Sequence, residues 1–474
     1  MGNLFTRLFG NTTTTVKSSA RRKPSVRSAV RLGVEDLEER CVPTTTYTWT
    51  GASSTAWENS GNWSGNPGHY PGDSGTSAIS DIAVTASGTN GPPTISTANI
   101  KILQLDENTN YPNVPQVDVS NGKYLEVNGG ASYVSTIRNG IKLEGGGILS
   151  VVGTLDYIEG NIEKGTTTGK VYVSGDLNVK GVNGIAYNPI YVGKDTSGTN
   201  VTAANMTLKR GTGGMTSSLK LANSQTIEVE PGSSLVYENP TYGVDCWALG
   251  GSPEIIVYGN LTTSTGSTNK VPNTGVQLRL PNDTAATNAR VTVDSYEGIS
   301  FDSAIVQTGD VVIGVGAHFG VTVSFTMSCT SGYGGNLFFY GSNTSSASSY
   351  LDGNLVLEDG TVLVGYGIGS NHFSGWTTAV IAGDFTATGG AISLGINTAT
   401  NGQCDSIDLG ENDLTSAAAC TLNFIEYNGS DNSGYDYNLI SFGSHSGAAF
   451  SQPAVLMVYT QTFASGVLDL HAGS

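Results

Sequence analysis

Four acidic residues near the carboxyl end of the chain could bind a divalent cation. Asp405, Asp408, Glu411 and Asp413 lie within nine residues of sequence, and carboxylate oxygens are the ligands that Ca²⁺ prefers in proteins. A turn between two consecutive strands accounts for the same spacing, and we favour that interpretation. Calcium is therefore the only cofactor that we consider, and we assign no catalytic, cofactor-binding or metal-binding residue.

Two kinds of short motif imitate catalytic loops. The Gly-Asp-Ser-Gly segment at 72–75 matches part of the nucleophile motif of trypsin-like proteases. It lacks the second glycine that should follow, and the upstream histidine, His69, is close in sequence rather than on a separate set of strands. The glycine-rich segments at 314–316 and 365–369 have no following helix to bind a phosphate group. We interpret all three as polar loops or corners between strands.

The histidines and cysteines give no ligand pattern. Neither set has the spacing of a zinc site, so we single out none of the histidines. The pair Cys404 and Cys420 could meet if the intervening chain returns to the neighbouring coil, but free buried thiols are an equal alternative. The disulfide content therefore stays open. The residues are His69, His318, His372, His445 and His471, and Cys41, Cys246, Cys329, Cys404 and Cys420.

The composition favours short strands joined by many tight turns. Charged residues make up 13% of the chain and hydrophobic residues 38%, and there are 64 glycines in 474 residues. Disordered chains carry more charge and fewer apolar residues, whereas glycine and asparagine suit sharp corners. Residues 44–474 hold 14 basic and 35 acidic side chains, so this part should repel nucleic acid. We therefore expect no nucleic-acid partner.

Residues 1–43 differ from the rest and read as a leader. They hold eight basic and four acidic side chains, and no apolar stretch approaches the ~20 residues that span a bilayer. We therefore expect no integral membrane segment. The segment at 31–43 reads RLGVEDLEERCVP and resembles the leader of many planctomycete surface and secreted proteins, related to LEPR-type motifs. It departs from that form in having Glu39 where proline would stand. The resemblance implies an exported bacterial protein.

Three tryptophans follow the leader. Trp49 stands in Thr-Trp-Thr-Gly at 48–51, and Trp57 and Trp63 precede a Pro-Gly-Asp at 71–73. This pattern resembles the opening of bacterial β-helix proteins of the autotransporter-repeat kind. We expect the three rings to cover the open end of a solenoid core, because large rings exclude water from the first coil. A sugar-binding aromatic platform is the alternative.

The rest of the chain alternates with period two. Runs such as Val-Tyr-Val at 171–173 and Val-Thr-Val at 291–293 mark strands with one buried face. A Gly-Asp/Asn-apolar triplet recurs at spacings that fit coils of roughly 20–30 residues, and we expect it to start each coil. The triplets begin at Gly175, Gly259, Gly309, Gly353 and Gly383.

The carboxyl end carries a further resemblance. The segments at 389–395, 404–409, 414–422, 437–440 and 466–470 resemble the closing coils of autotransporter-type passengers. The membrane barrel that follows a passenger in a true autotransporter is not in this sequence. We therefore expect the leader to supply the export route.

These patterns predict an all-β protein: a right-handed parallel β-helix, or β-solenoid, behind a mostly disordered leader. We expect a leader at 1–43, flexible or a short helix, a Trp-rich cap with the first coils at 44–120, and the solenoid body at 121–474. The absence of a helical period after Pro43 favours this fold over βαβ architectures.

The expected function is that of an exported cell-surface or extracellular structural or adhesive protein without catalytic activity. Solenoids present extended faces, so its expected partners are cell-surface glycans or other surface proteins. One alternative is a polysaccharide-active lyase or hydrolase, although residues 44–474 contain neither an Asp-Asp pair nor a Gly-His-Gly. Another is a non-catalytic carbohydrate-binding protein that uses Trp247 and Trp376.

Overall fold

The structure is a computed structural model, and it describes residues 44–472 with several gaps. The gaps are 74–79, 86–87, 108–115, 181–183, 202, 210–218, 223, 241, 247–250, 265–269, 330–333, 342–347, 366–375, 398–399, 401, 428–434, 453–458 and 465. Every described residue belongs to one compact unit, Pro43–Ser474. The leader lies outside the described residues, so the expectations for it stay predictions.

The regular secondary structure of the described chain consists almost wholly of short strands, joined by turns and bends. In chain order they are β1 Thr45–Trp49, β2 Trp63–Ser64, β3 Asp81–Thr85, β4 Thr94–Ile95, β5 Ile100–Ile102, β6 Gln104–Glu107, β7 Val117–Val119, β8 Tyr124–Val127, β9 Ser135–Ile137, β10 Gly140–Leu143, β11 Ile148–Val151, β12 Thr154–Tyr157, β13 Asn161–Lys164, β14 Lys170–Val173, β15 Asp176–Val179, β16 Gly184–Ala186, β17 Ile190–Val192, β18 Asn205–Lys209, β19 Leu219–Leu221, β20 Thr226–Val229, β21 Ser234–Glu238, β22 Val244–Cys246 and β23 Glu254–Val257. The remaining strands are β24 Asn260–Ser264, β25 Lys270–Pro272, β26 Gln277–Leu280, β27 Arg290–Val293, β28 Gly298–Phe301, β29 Ser303–Val306, β30 Gly309–Ile313, β31 His318–Val321, β32 Phe325–Met327, β33 Gly335–Phe339, β34 Ser349–Asp352, β35 Leu355–Leu357, β36 Thr361–Val364, β37 Thr378–Ile381, β38 Phe385–Ala387, β39 Ala391–Asn397, β40 Ser406–Asp408, β41 Asp413–Ser416, β42 Thr421–Tyr427, β43 Asp436–Ser441, β44 Ser444–Gly447, β45 Tyr459–Ala464 and β46 Val467–Ala472.

The strands wind into a parallel β-solenoid with three faces, which confirms the predicted fold class. From β3 to β44, every third strand along the chain lies on the same face. The first face is a 16-stranded sheet that runs from β1 and β2 to β42, and the second is a 14-stranded sheet from β5 to β44. The third face consists of a seven-stranded sheet, β4 to β22, and a nine-stranded sheet that starts at β25. The right-handed course remains a prediction.

Many coils have the predicted length of roughly 20–30 residues, but others are longer, as where Ile190 pairs with Ile227, thirty-seven residues later. Along the 16-stranded sheet, Val291 pairs with Val311, twenty residues later, and Ile392 pairs with Leu422, thirty residues later. The register pairs apolar residues with apolar residues, because a slip of one residue would turn every apolar side chain to the solvent. The solenoid therefore tolerates coils of unequal length as long as their strands stay in register.

The inward side chains form one hydrophobic core that extends from Tyr47 to Leu470. The alternation of inward and outward side chains along each strand provides this core, as in β14, where Val171 and Val173 are fully buried. Burying one such side chain contributes about 1.5–3 kcal/mol. Because the core repeats at every coil, no single residue decides the stability of the whole.

The three tryptophans lie at the start of this core. Trp49 and Trp57 are fully buried and Trp63 nearly so. The ring of Trp63 makes edge contacts with the other two, at centroid distances of 5.0 Å and 4.7 Å. The indole of Trp57 donates to the carbonyl of Pro71. These buried rings close the first coil and cannot act as an exposed sugar platform.

The predicted Gly-Asp/Asn-apolar triplets do not all mark the same corner. The triplets at Gly175, Gly259 and Gly309 precede or begin strands of the 16-stranded sheet, whereas those at Gly353 and Gly383 precede strands of the 14-stranded sheet. The expectation that the triplet starts each coil is therefore wrong. It marks a type of corner that suits two edges of the solenoid, because its third residue always points into the core.

Buried asparagines hold the coils together where the third face changes sheet. Oδ1 of Asn273 accepts hydrogen bonds from the hydroxyl of Tyr237 and the amide of Val244, and its Nδ2 donates to the carbonyl of Ser300. These bonds join β22, β25 and β28, whose backbones do not form one continuous sheet. Asn188 has a similar role three coils earlier, with three hydrogen bonds to backbone groups.

The solenoid ends in an antiparallel hairpin. Strands β45 and β46 pair with each other, and β46 also pairs antiparallel with β43. Helical structure in the described part of the chain is limited to two short 3₁₀ turns, Ser60–Asn62 and Thr284–Ala286. Accordingly, no helix among the described residues is long and apolar enough to cross a membrane.

Candidate binding face on the nine-stranded sheet

The acidic residues that suggested calcium do not form one site. Asp405 is fully buried, and its carboxylate accepts hydrogen bonds from the amides of Thr377 and Gly395. Asp408 accepts from the amide of Gly410, as expected of a turn residue. Across the described residues, no group of three or more histidine, cysteine, aspartate or glutamate side chains is placed to hold a metal ion.

The motifs that imitate catalytic loops behave as loops where they are described. Nδ1 of His69 lies 3.1 Å from Oδ2 of Asp73, while Ser74 is outside the described residues. Gly316, in the glycine-rich segment at 314–316, has φ of +67° at the corner between β30 and β31. That corner confirms the interpretation of this segment. Most of the segment at 365–369 lies outside the described residues.

One histidine belongs to a cluster of chemically different side chains on the nine-stranded sheet. Nδ1 of His318, in β31, lies 2.9 Å from Oδ2 of Asp352, in β34. The same carboxylate oxygen pairs with the ammonium group of Lys270, in β25. The imidazole ring of His318 stacks on the phenol ring of Tyr350, with centroids 4.3 Å apart and planes 6° apart. All four side chains belong to the outward face of the sheet.

Two glycines open the space that the cluster needs. Gly298 lies between Lys270 and His318 in the same column of paired residues. A Cβ atom at Gly298 would lie 2.7 Å from Cγ of Lys270, so the lysine chain passes directly over this glycine. Gly320, which pairs with Asp352, likewise carries no side chain. The absence of a side chain at Gly298 therefore leaves room for the Lys270 chain to reach Asp352.

Two exposed apolar side chains border this face. Tyr296, just before β28, is 60% exposed and Val323, just after β31, is 57% exposed. They are the most exposed large hydrophobic residues in the part of the chain that the structure describes. The amide of His318 donates to the carbonyl of Glu297, next to Tyr296, so the tyrosine lies beside the cluster.

The chemistry of the cluster suits binding through several hydrogen bonds. Asp352 offers acceptor oxygens, Lys270 offers donors, and the Asp352 contact to Nδ1 leaves Nε2 of His318 on the other side of the ring. One lysine and one aspartate carry opposite charges, so the group is close to neutral when the imidazole is neutral. The stacked rings of His318 and Tyr350 add a flat surface beside these polar groups.

A second cluster lies on the 14-stranded sheet, but it is more enclosed. Tyr172 and Tyr191 are neighbours with ring centroids 5.4 Å apart. Lys194 lies over the ring of Tyr191 and pairs with Glu230 at 2.7 Å. Burial, the main cause, and the nearby Glu230 raise the pKa of Glu228, whereas Lys194 opposes the rise. Tyr172 is only 6% exposed, so this cluster offers a ligand little aromatic surface.

The sequence contained no short-range signal for the His318 cluster. Asp352 follows His318 by 34 residues and Lys270 precedes it by 48, so no local motif connects them. Their proximity depends on the exact length of each coil. If the coil lengths were known, the proximity of these residues could be predicted, because residues one coil apart lie on the same face.

The remaining sequence-predicted residues give no second site. Trp247 and His372 lie outside the described residues, and Trp376 is partly buried just before β37. The described cysteines are all free thiols, so Cys404 and Cys420 are not joined. Burial raises the pKa of both thiols to about 12, with Asp405 adding to the effect at Cys404. Both thiols are therefore protonated at neutral pH and unreactive.

Comparison with known proteins identifies no relative. No family model matches the chain, and no curated protein matches it. The structure defines the class of protein as a parallel β-solenoid. The resemblances of the leader to planctomycete leaders and of the body to autotransporter passengers remain predictions.

Proposed function

We propose that this protein is an exported structural or adhesive β-solenoid that binds other components of the bacterial surface. The observation that carries the proposal is the uninterrupted core from Tyr47 to Leu470, which supports three long outward faces. Solenoids use such faces to bind extended partners. The acidic composition of residues 44–474 favours solubility outside the cell.

The outward polar residues support a structural role because they bond to one another from coil to coil. Oδ1 of Asn354 accepts from the amide of Asp384, and Oδ1 of Asp384 accepts from the amide of Asp413. The hydroxyl of Ser444 then donates to Asp413 at 2.6 Å. Columns of this kind make each coil a template for the next, which suits a stiff scaffold.

A binding experiment with cell envelopes tests the adhesive part of this proposal. Purified full-length protein is mixed with washed envelopes of the cells that encode it, and the sedimented fraction is measured over a range of protein concentrations. Saturable binding that heat-unfolded protein does not show is the expected result. Binding that is absent, or that unfolded protein shows equally, contradicts the adhesive role.

A second candidate function is polysaccharide cleavage, which the pairing of His318 with Asp352 favours. A carboxylate at Nδ1 can hold an imidazole in the tautomer whose Nε2 accepts a proton, and such a nitrogen can act as a general base. The test is incubation with neutral and acidic polysaccharides, with calcium present. Release of oligosaccharides by wild type and not by His318→Ala supports cleavage, and no release from any substrate contradicts it.

A further inference from the structure

Tyr296 occupies a backbone conformation that costs free energy. Its φ is +64°, and Gly316 holds the corresponding corner one coil later with φ of +67°. The correspondence follows from the pairing of Val293 with Ile313, since each corner residue stands three positions after its paired strand residue. Glycine adopts this conformation readily, whereas a bulky residue there is strained. The position would be more stable as glycine.

The surroundings of Tyr296 accommodate its ring on the surface rather than in the core. A Cβ atom on Gly316 would lie 2.5 Å from Cδ1 of Tyr296, so the ring rests against a glycine of the next coil. The side chain nevertheless remains 60% exposed. The packing of the Tyr296 side chain therefore does little to offset the strain of its backbone. A role in binding explains why an aromatic residue stands at this position.

We propose that Tyr296, His318, Tyr350 and Asp352 form a binding subsite for a neutral pyranose unit of a polysaccharide. The apolar face of the sugar ring lies on Tyr296. Asp352 and Nε2 of His318 accept hydrogen bonds from its hydroxyl groups, and Lys270 donates one. This subsite rests on the proposed adhesive function and assigns it a class of ligand.

A neutral sugar fits the charges better than an acidic one. Lys270 and Asp352 offset each other, so the cluster holds no surplus positive charge for a carboxylate or sulfate. The surrounding residues 44–474 carry 14 basic against 35 acidic side chains, which repels anionic polymers. Vicinal hydroxyl groups instead match a carboxylate and an ammonium group placed side by side.

The face suits a saccharide better than a protein partner. Protein interfaces concentrate their energy in a packed apolar centre. Among the described residues of this face, only Tyr296 and Val323 are strongly exposed large apolar side chains, and they stand on opposite edges. Tyr242, 44% exposed, occupies the corresponding corner two coils earlier. Since neighbouring strands lie about 4.8 Å apart, the two tyrosines can contact one chain that runs along the solenoid axis.

Affinity electrophoresis of the full-length protein in gels that contain one polysaccharide tests this subsite. The probes are a soluble glucan, a mannan and polygalacturonate. Wild type is expected to be retarded by a neutral polymer and not by polygalacturonate. Tyr296→Gly should weaken binding at least tenfold while its thermal midpoint stays equal or rises. Tyr350→Ala should weaken binding by a similar factor, and Tyr133→Ala, at another corner, serves as the matched control.

The outcomes separate this inference from the adhesive function. Retardation only by polygalacturonate, by none of the three polymers, or equally for Tyr296→Gly and wild type overturns the subsite. Envelope binding that survives removal of polysaccharide and is lost on protease treatment of the envelopes identifies a protein partner, which also overturns it. In each of these cases envelope binding by the full chain measures the adhesive function separately.

Discussion

The hydroxyl of Tyr237 donates a hydrogen bond of 2.9 Å to Oδ1 of Asn273 inside the solenoid. Tyr237 is in the 16-stranded sheet and Asn273 follows a strand of the nine-stranded sheet, so this bond crosses the core between two faces. Burial, with the nearby Asp245 carboxylate adding to the effect, raises the pKa of Tyr237 far above its ordinary value. The phenol is thus a permanent donor, and Asn273 is its matched acceptor.

Replacing Asn273 should destabilise the coils around it. Asn273→Ala would leave the hydroxyl of Tyr237 and the amide of Val244 without their acceptor, whereas the carbonyl of Ser300 keeps its bond to the backbone amide of residue 273. Each orphaned buried group costs about 1–3 kcal/mol. We expect a lower thermal midpoint and faster amide exchange in β22 and β28. Asn288→Ala, at an exposed position, is the control, and equal behaviour of the two variants would contradict this role.

Glu107 should make the stability depend on pH. Its buried carboxylate accepts hydrogen bonds from the amides of Arg138 and Asn139 at 2.6 Å each. Burial, the dominant cause, raises its pKa from 4.5 to about 7 despite these bonds. The folded protein therefore holds the proton more tightly than the unfolded chain. The resulting stabilisation is complete below pH 4.5 and is lost as the pH rises through about 7.

The size of this effect is on the order of 3 kcal/mol. Urea unfolding at several pH values measures it, and Glu107→Gln should remove that part of the pH dependence. Glu411→Gln, at an exposed position, should leave the pH profile unchanged. An unaltered pH profile for Glu107→Gln would show that the buried carboxyl does not titrate in this range.

Gly365→Ala should be more destabilising than a typical glycine substitution. The added Cβ would lie 2.2–2.5 Å from carboxylate atoms of Asp405, which itself bonds two buried amides, and Gly365 has φ of +83°. Gly410→Ala isolates the backbone strain, because φ there is +60° and the space around it is open. Thermal unfolding should place Gly365→Ala well below Gly410→Ala. Equal midpoints would mean that Asp405 moves aside without cost.

The strand pattern could be predicted from the sequence because alternation is a local signal. The apolar residues Val171 and Val173 are two positions apart in the sequence, and both side chains are buried as expected. In contrast, the meeting of His318 with Asp352 depends on register across a coil, and paired residues can be 20 or 37 positions apart. Composition and periodicity do not determine that number.

The strained corner at Tyr296 was also beyond sequence reasoning. A tyrosine in a turn is unremarkable by type, and only the φ of +64° shows that it occupies a glycine position. To recognise that Tyr296 and Gly316 occupy corresponding corners, the pairing of the strands before them must already be known.

Deleting the leader should affect targeting but not the fold. The described core begins at Tyr47, so removal of residues 1–43 should leave the thermal midpoint of the body almost unchanged. The truncated protein should fail to reach the cell surface, because recognition is the proposed role of the leader. Cell fractionation compares the two forms. A midpoint many degrees lower would show that the leader packs as part of the fold.

The most direct test of the proposed function is the position of the protein on intact cells. Cells that encode the protein are labelled with an antibody against the full chain before and after lysis, and intact cells are also treated with protease. We predict labelling of intact cells and loss of that signal with protease. A signal that appears only after lysis and resists protease on intact cells would contradict an exported surface protein.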